Sequence, residues 1–232
     1  IYYEFIIQGD SMKNKHKTFP FIFLIFGIVL ISVISGLSIR KHVKINSIKE
    51  KSQQVSIEAD KEKVKNNSEI FFDKPKDMPS QNLIKVYKEK RILELYGDEK
   101  LIGRFKIGLG RDPWKDKEKE GDNRTPEGSY YICSRTGETK YTYFMGLSYP
   151  NINDAQRGLE KGIIDKDAYN RIKQAIDEKK QPTWNTPLGG AVGIHGGGNK
   201  YDWTYGCIAL ENEDINILKE YAPIGTLVEI YK

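Results

Sequence analysis

The chain has 232 residues, of which 38% are hydrophobic and 30% charged, and a net charge of +5. That length holds one ordinary domain plus extras, and the low apolar share predicts a folded part joined to a solvated part rather than disorder throughout. Lys and Arg are dispersed, with no run of about five or six, which argues against nucleic acid as a partner; a modest basic excess suits work beside a membrane or cell wall, and two cysteines make no disulfide framework.

Residues 1–18 form a short N-terminal segment. Met12 followed by "KNKHK" reads as the basic start of an export signal, with the residues before Met12 lying upstream of the start codon. Phe19 to Ile39, "FPFIFLIFGIVLISVISGLSI", carries no charge. As a helix it would span roughly 30 Å, the thickness of a bilayer core, so a single-pass anchor in the cytoplasmic membrane is expected. No Ala-x-Ala site follows it, which favours an anchor over a cleaved signal. Arg40, Lys41, Lys44, Lys49 and Lys51 after the span outweigh Lys13, Lys15 and Lys17 before it, and charge counting alone would leave the C-terminal part inside. Long domains often cross regardless of that count.

Residues 40–80 are polar, poor in aromatics and contain "DKPKDMPS", a linker pattern. From residue 81 the pattern changes. "LIKVYKEKRILELYGDEKLIGRFKIGLG" alternates apolar and polar residues between turn signals and predicts a strand meander. "EGSYYICSR" and "YTYFMGLSYP" predict further strands, and "TLVEIYK" the last. Asp165 to Lys180 predicts a helix, with Asp165 as N-cap and Ile164, Ala168, Ile172 and Ile176 on one face. Residues 81–232 are thus a mostly β domain with one inserted helix.

The chemistry concentrates in "GIHGGGNKYDWTYGCIAL", Gly193 to Leu210. This stretch holds one of the chain's three histidines and one of its two cysteines. A thiol attacks only as thiolate and needs a base or a positive charge nearby, which His195 can supply to Cys207. "GGAVGIHG" predicts a strand ending at the histidine, and the following glycines let the chain loop back to present Cys207. Backbone N–H groups around Gly206 are candidates for an oxyanion hole. The blander readings stay open on residue type alone: a small buried cysteine and a satisfied histidine. A zinc site lacks ligands, because the domain has one histidine, and a phosphate loop fails because Asn199 stands where the lysine belongs. Cys133 lies in an alternating strand and is expected to be buried and inert.

His195-Gly196, followed after a spacer by Thr204-Tyr205-Gly206-Cys207-Ile208, resembles the active-site signature of the L,D-transpeptidase family, the YkuD-type peptidoglycan enzymes. "GDNRTPEGSYYI", "LSYPNINDAQRG" and "PLGGAVGIHG" are similar to the family's other segments, in its order, from about Leu83 to Ile230. The resemblance implies an L,D-transpeptidase-like β-sandwich that acts on peptidoglycan peptide stems and needs no metal or cofactor. It implies Cys207 as nucleophile, His195 as general base and acid, and the Gly196 carbonyl orienting the ring. It also implies an oxyanion hole from the Cys207 N–H with that of Gly206 or Tyr205. Thr204 takes the place of the family's hydroxyl; it tunes the thiolate or caps a turn. Asp202 and Trp203 shape the groove or simply pack, and Arg124 and Glu127 read as structural or rim residues. Because the substrate lies outside the cytoplasmic membrane, the domain is expected on the outer side.

One departure bears on the acceptor. Most members carry Arg two residues after the cysteine, and this chain has Ala209. "DWTYGCIAL" is similar to a branch in which some relatives hydrolyse the bond between a wall-anchored lipoprotein and the stem. The acceptor is therefore a stem amine, a protein lysine or water, with Lys200 able to replace the missing cation and transpeptidation placed ahead of hydrolysis. Two other classes are weighed. A non-catalytic wall-binding module conflicts with the presence of both His195 and Cys207, and a cytosolic thiol protease leaves the Phe19–Ile39 span unexplained. Oligomeric state is not legible.

Overall fold

The computed structural model describes residues 69–232. The expected anchor at Phe19–Ile39 and most of the expected linker lie outside the described residues. Among the described residues, no helix is long and apolar enough to cross a membrane.

The alternation after residue 81 builds the meander. Strands β2 (Asn82–Tyr87), β3 (Ile92–Gly97) and β4 (Lys100–Lys106) pair antiparallel in sequence. Ile84 and Val86, and Leu93 and Leu95, are buried at alternate positions of β2 and β3, whereas in β4 an irregularity opposite Leu95 and Tyr96 separates the buried Ile102 and Phe105 by three. Asp98 and Glu99 both have positive φ, as a two-residue hairpin turn with the right twist requires. A short strand β1 (Phe71–Phe72) pairs with β4, although its residues fall within the expected linker.

The rest of the sheet is not sequential. The last strand, β9 (Leu227–Tyr231), inserts between β2, to which it is parallel, and β5 (Gly128–Thr139), to which it is antiparallel. The first part of β5 pairs with β9 and its later part with β6 (Thr142–Leu147), with a register shift between Ile132 and Ser134. Such an irregularity bends a strand and increases its twist. Strands β7 (Gly193–His195) and β8 (Ile208–Ala209) complete the order β1-β4-β3-β2-β9-β5-β6-β7-β8. Bridges Gly108↔Ala209 and Gly110↔Thr204 carry the chain beyond β4 onto β8. The mostly β domain is built from one nine-stranded sheet, curled around the main apolar core.

Among the described residues, three helices decorate this sheet where one was expected: α1 (Ile152–Glu160), α2 (Lys166–Asp177) and α3 (Asn212–Tyr221). Helix α2 is the expected one. Asp165 caps it by accepting from the Ala168 N–H at 2.7 Å, and Ala168 and Ile172 are buried with Ile164. Helix α1 starts at a reciprocal cap in which Asn151 and Asp154 each accept from the other's backbone N–H. Helices α1 and α2 share a small core with Leu188, whereas α3 buries Ile215, Leu218 and Tyr221 in the main core.

Candidate active site

Strand pairing brings the histidine and the cysteine together. Strands β7 and β8 are parallel, with Ile194 opposite Ile208 and His195 opposite Ala209. Side chains alternate along a strand, so Ile194 and Ile208 point one way, into the core, where both are fully buried. His195, Ala209 and the residue leading into β8, Cys207, share the opposite face. Twelve positions of sequence thus become a diagonal across one ladder.

The imidazole is held on every side. Its Nδ1 lies 2.6 Å from the Gly196 carbonyl oxygen, which makes Nδ1 the protonated nitrogen and leaves Nε2 as the base. The ring stacks on Tyr141 at 4.6 Å between centroids, and Trp203 meets it edge-on at 5.6 Å. His195 is 3% exposed. Burial holds the imidazole below its ordinary value, with the Gly196 carbonyl acting the other way.

The cysteine sits on a turn that its neighbours lock. Thr204 is buried; its Oγ1 accepts from the Gly206 N–H at 3.1 Å and donates to the Cys207 carbonyl at 2.7 Å. The Gly206 N–H, a candidate for the oxyanion hole, is therefore engaged within the turn. Among the described residues, no protein acceptor meets the N–H of Tyr205 or of Cys207, and these two are free to face an oxyanion. Gly206 has φ +137, and a Cβ there would lie 2.7 Å from the Arg124 carbonyl oxygen, so the position needs glycine on both counts. The Cys207 thiol, half-buried, lies 3.6 Å from the Ala191 carbonyl. Burial pushes it up to about 11, while the Gly193 N–H and the Lys117 ammonium pull the other way. Cys133, also half-buried, is likewise pushed up to about 11 by burial, with Ser134 and its own backbone acting the other way.

The remaining sequence candidates divide. Asp202 is turned away from the thiol, accepting from Arg91 Nη2 at 2.8 Å and from the Leu109 N–H at 2.9 Å. It ties the Gly-rich loop to the meander. Trp203 Nε1 donates to the Gly198 carbonyl at 3.0 Å, fixing the same loop while its ring shields His195. Lys200 is exposed and lines a crevice of about 380 Å³ with Gly197, Gly198, Trp203 and Glu211. Tyr205 is 71% exposed, with the Arg111 guanidinium over its ring. Arg124 pairs with Asp112 and Glu127 with Lys88, on the loop that flanks the Cys207 turn.

Three contributors escape sequence reasoning. Tyr141, on the β5–β6 turn, supplies the face on which the imidazole lies. Asn212, at the start of α3, accepts from the Gly197 N–H at 2.9 Å. Lys117 is buried, and its ammonium would lie 3.9 Å from a Cβ at Gly206. Tyr141 and Lys117 are distant in sequence from the histidine–cysteine stretch, and Asn212 lies just beyond it on the following helix. Among the described residues, no three His, Cys, Asp or Glu side chains gather closely enough to hold a metal ion.

Against known proteins, the model of the L,D-transpeptidase catalytic domain (YkuD) matches residues 81–230. No curated protein matches the chain. Among solved structures, an L,D-transpeptidase from Xylanimonas cellulosilytica is 16% identical, with a TM-score of 0.39 over 68% of this chain and 63% of that one. The helical cell shape determining protein Pgp2 from Campylobacter jejuni is 23% identical, with a TM-score of 0.44 over 66% of this chain and 49% of that one. Bdellovibrio bacteriovorus Bd1075 is 20% identical, with a TM-score of 0.44 over 71% of this chain and 52% of that one. The chain thus spans between about half and about two thirds of the length of these structures.

Proposed function

The chain belongs to the L,D-transpeptidase catalytic-domain family, and from that premise we propose that it is a cysteine acyltransferase acting on peptidoglycan tetrapeptide stems. The observation that carries this reading is the shared face of the β7–β8 ladder, with His195 Nδ1 tied to the Gly196 carbonyl. Cys207 Sγ attacks the carbonyl carbon of the third stem residue as His195 Nε2 takes the thiol proton. The Cys207 and Tyr205 N–H groups face the oxyanion that forms. Collapse breaks the bond to the terminal D-alanine, whose nitrogen takes the proton from His195, and a thioester remains. An acceptor amine then attacks, passes its proton to His195, and displaces the sulfur, which is reprotonated. The product is a crosslink or a protein attached to the wall.

Hydrolysis of a stem or of a stem–lipoprotein bond is the second reading, and Ala209 is what favours it. Ala209 is fully buried and exchanges both backbone hydrogen bonds with Gly108, so this position offers no cation to an acceptor carboxylate. Lys200, exposed on the crevice lined by Gly197 and Trp203, is the cation we assign to that task. Purified protein incubated with disaccharide-tetrapeptide, with products resolved by mass, separates the readings. A dimer lacking one D-alanine supports transfer, and tripeptide alone at every acceptor concentration selects hydrolysis. Turnover retained by Cys207→Ala or His195→Ala, with Cys133→Ser inactive, would refute the site itself. We also propose that Phe19–Ile39 tethers the domain to the outer side of the cytoplasmic membrane. A reporter active only after export, fused after Lys232, should work and sediment with membranes; an inactive fusion refutes the orientation.

A further inference from the structure

We propose that Lys117 is a positioning residue of the reaction, a buried ammonium that lowers the cost of negative charge on Cys207. The inference rests on Cys207 being the nucleophile. Lys117 is 3% exposed, an unusual place for an ammonium, and its Nζ would lie 3.9 Å from a Cβ at Gly206, the residue before the nucleophile. It bonds to the Lys119 carbonyl at 3.0 Å and to Asp122 Oδ1 at 2.7 Å.

Another lysine of the same domain shows what a purely structural ammonium looks like. Lys88 spends its three donors on the Lys115 carbonyl, the Thr125 carbonyl and Glu127, between 2.8 and 2.9 Å. Lys117 has two such bonds, which leaves a third N–H. Tyr149 lies 5.7 Å away across its ring.

The anchoring is rigid. Asp122 also accepts from the backbone N–H groups of Glu118, Lys119 and Arg124. Burial works against its charge, but the bonds from Lys117 and this backbone hold its carboxyl below the usual carboxylate range. The other charged or titratable groups around the turn are committed elsewhere. Arg124 faces Asp112, the Arg111 guanidinium lies over Tyr205, and His195 approaches from β7 with its Nδ1 on Gly196. The turn that carries the thiol therefore has the β7 histidine across the β7–β8 ladder and an anchored cation next to Gly206. In a half-buried site, that cation offsets part of the desolvation that opposes the thiolate.

The test is the pH dependence of iodoacetamide alkylation in the full-length protein, with Cys207 and Cys133 followed separately by peptide mass. Lys117→Met should slow Cys207 alkylation about tenfold at neutral pH and move its profile up by about one pH unit. Cys133 should not change, and Lys117→Arg should restore the profile. A folded Lys117→Met whose Cys207 profile overlays the wild type overturns the inference, as does Lys117→Arg behaving like Lys117→Met. If neither variant folds, Asp122→Asn decides. It leaves the ammonium without its carboxylate and should move the Cys207 profile to lower pH; no movement, or movement upward, overturns the inference. Turnover retained by Cys207→Ala would instead remove the underlying reading, and the alkylation profile does not depend on turnover.

Discussion

Thr204→Val isolates the hydrogen bonds that shape the nucleophile's turn, because valine matches threonine in volume and lacks the hydroxyl. In the native turn, Oγ1 satisfies a buried Gly206 N–H at 3.1 Å and the Cys207 carbonyl at 2.7 Å. Deleting it strands the buried donor, at about 1–3 kcal/mol, and removes a part-buried bond worth about 0.5–1.5 kcal/mol. The sum is about 1.5–4.5 kcal/mol. A released Gly206 N–H would also reorient the Tyr205–Cys207 backbone, and with it the groups facing the oxyanion. Turnover should therefore fall by more than tenfold, with kcat carrying the loss. Thr204→Ser keeps the oxygen and should retain most of the stability and rate. The assays are urea unfolding and tetrapeptide turnover on the three proteins. A Thr204→Val protein within about 0.5 kcal/mol of wild type would refute the reasoning, because the two bonds would then carry no weight in the turn.

Other outcomes follow from the same geometry. Gly206→Ala should lower stability by about 1–3 kcal/mol and abolish turnover, since alanine at φ +137 is strained and its Cβ meets the Arg124 carbonyl; calorimetry and turnover measure both. Because burial holds His195 below its ordinary value, neutral imidazole persists to lower pH than usual. The acid limb of kcat/KM should accordingly fall below about 6.5, and a limb above that value would contradict the assigned environment. Tyr141→Leu removes the ring stacked on His195 and should cost roughly 0.5–1.5 kcal/mol of positioning, read as a two- to tenfold drop in kcat with little change in KM.

What could be read from the chain follows the range of each interaction. The meander is legible because period-two alternation from Leu83 to Phe105 is local, and helix α2 because Asp165 announces it. Helix α3 is not, because its N-cap Glu211 makes no side-chain cap and the helix begins directly after β8. Helix α1 carries a reciprocal cap, but of the Asn–Asp kind rather than the Ser/Thr–Glu pattern that sequence reading looks for. The curl of the sheet depends on β9 entering between β2 and β5, a pairing across more than a hundred residues that no local pattern encodes. Within the site, the His195–Gly196 contact is adjacent in sequence and was legible. For Thr204 the residues leave open tuning of the thiolate or capping of a turn, and for the oxyanion hole Gly206 or Tyr205 beside Cys207; only the folded turn shows the Thr204 hydroxyl accepting from the Gly206 N–H. Tyr141 and Lys117 reach the site only through the fold.

Ion pairs tie the loops of this site to its sheet, and their purpose differs from stabilising the fold. Lys88, at the end of β2, holds the 115–127 loop; Arg91, just before β3, holds the Gly-rich loop through Asp202. A buried pair contributes little net stability, because desolvating two charges offsets most of their attraction, yet breaking one partner leaves a charge uncompensated at about 3–5 kcal/mol. Register is what such a pair can supply. Lys88 is 1% exposed, and its three bonds set where the loop that carries Lys117, Asp122 and the Arg124 carbonyl lies against Gly206. Glu127→Gln should therefore cost up to about 3–5 kcal/mol, because the buried Lys88 loses its carboxylate partner. Lys88→Met with Glu127→Gln removes both charges and should recover part of that stability. It should not recover turnover, because the Lys115 and Thr125 carbonyls lose the donor that positioned them. Denaturant unfolding and turnover of both proteins give the comparison. A double variant that regained stability and turnover together would show that the pair is needed only for folding, and the account of the loop as a registered wall of the site would fail.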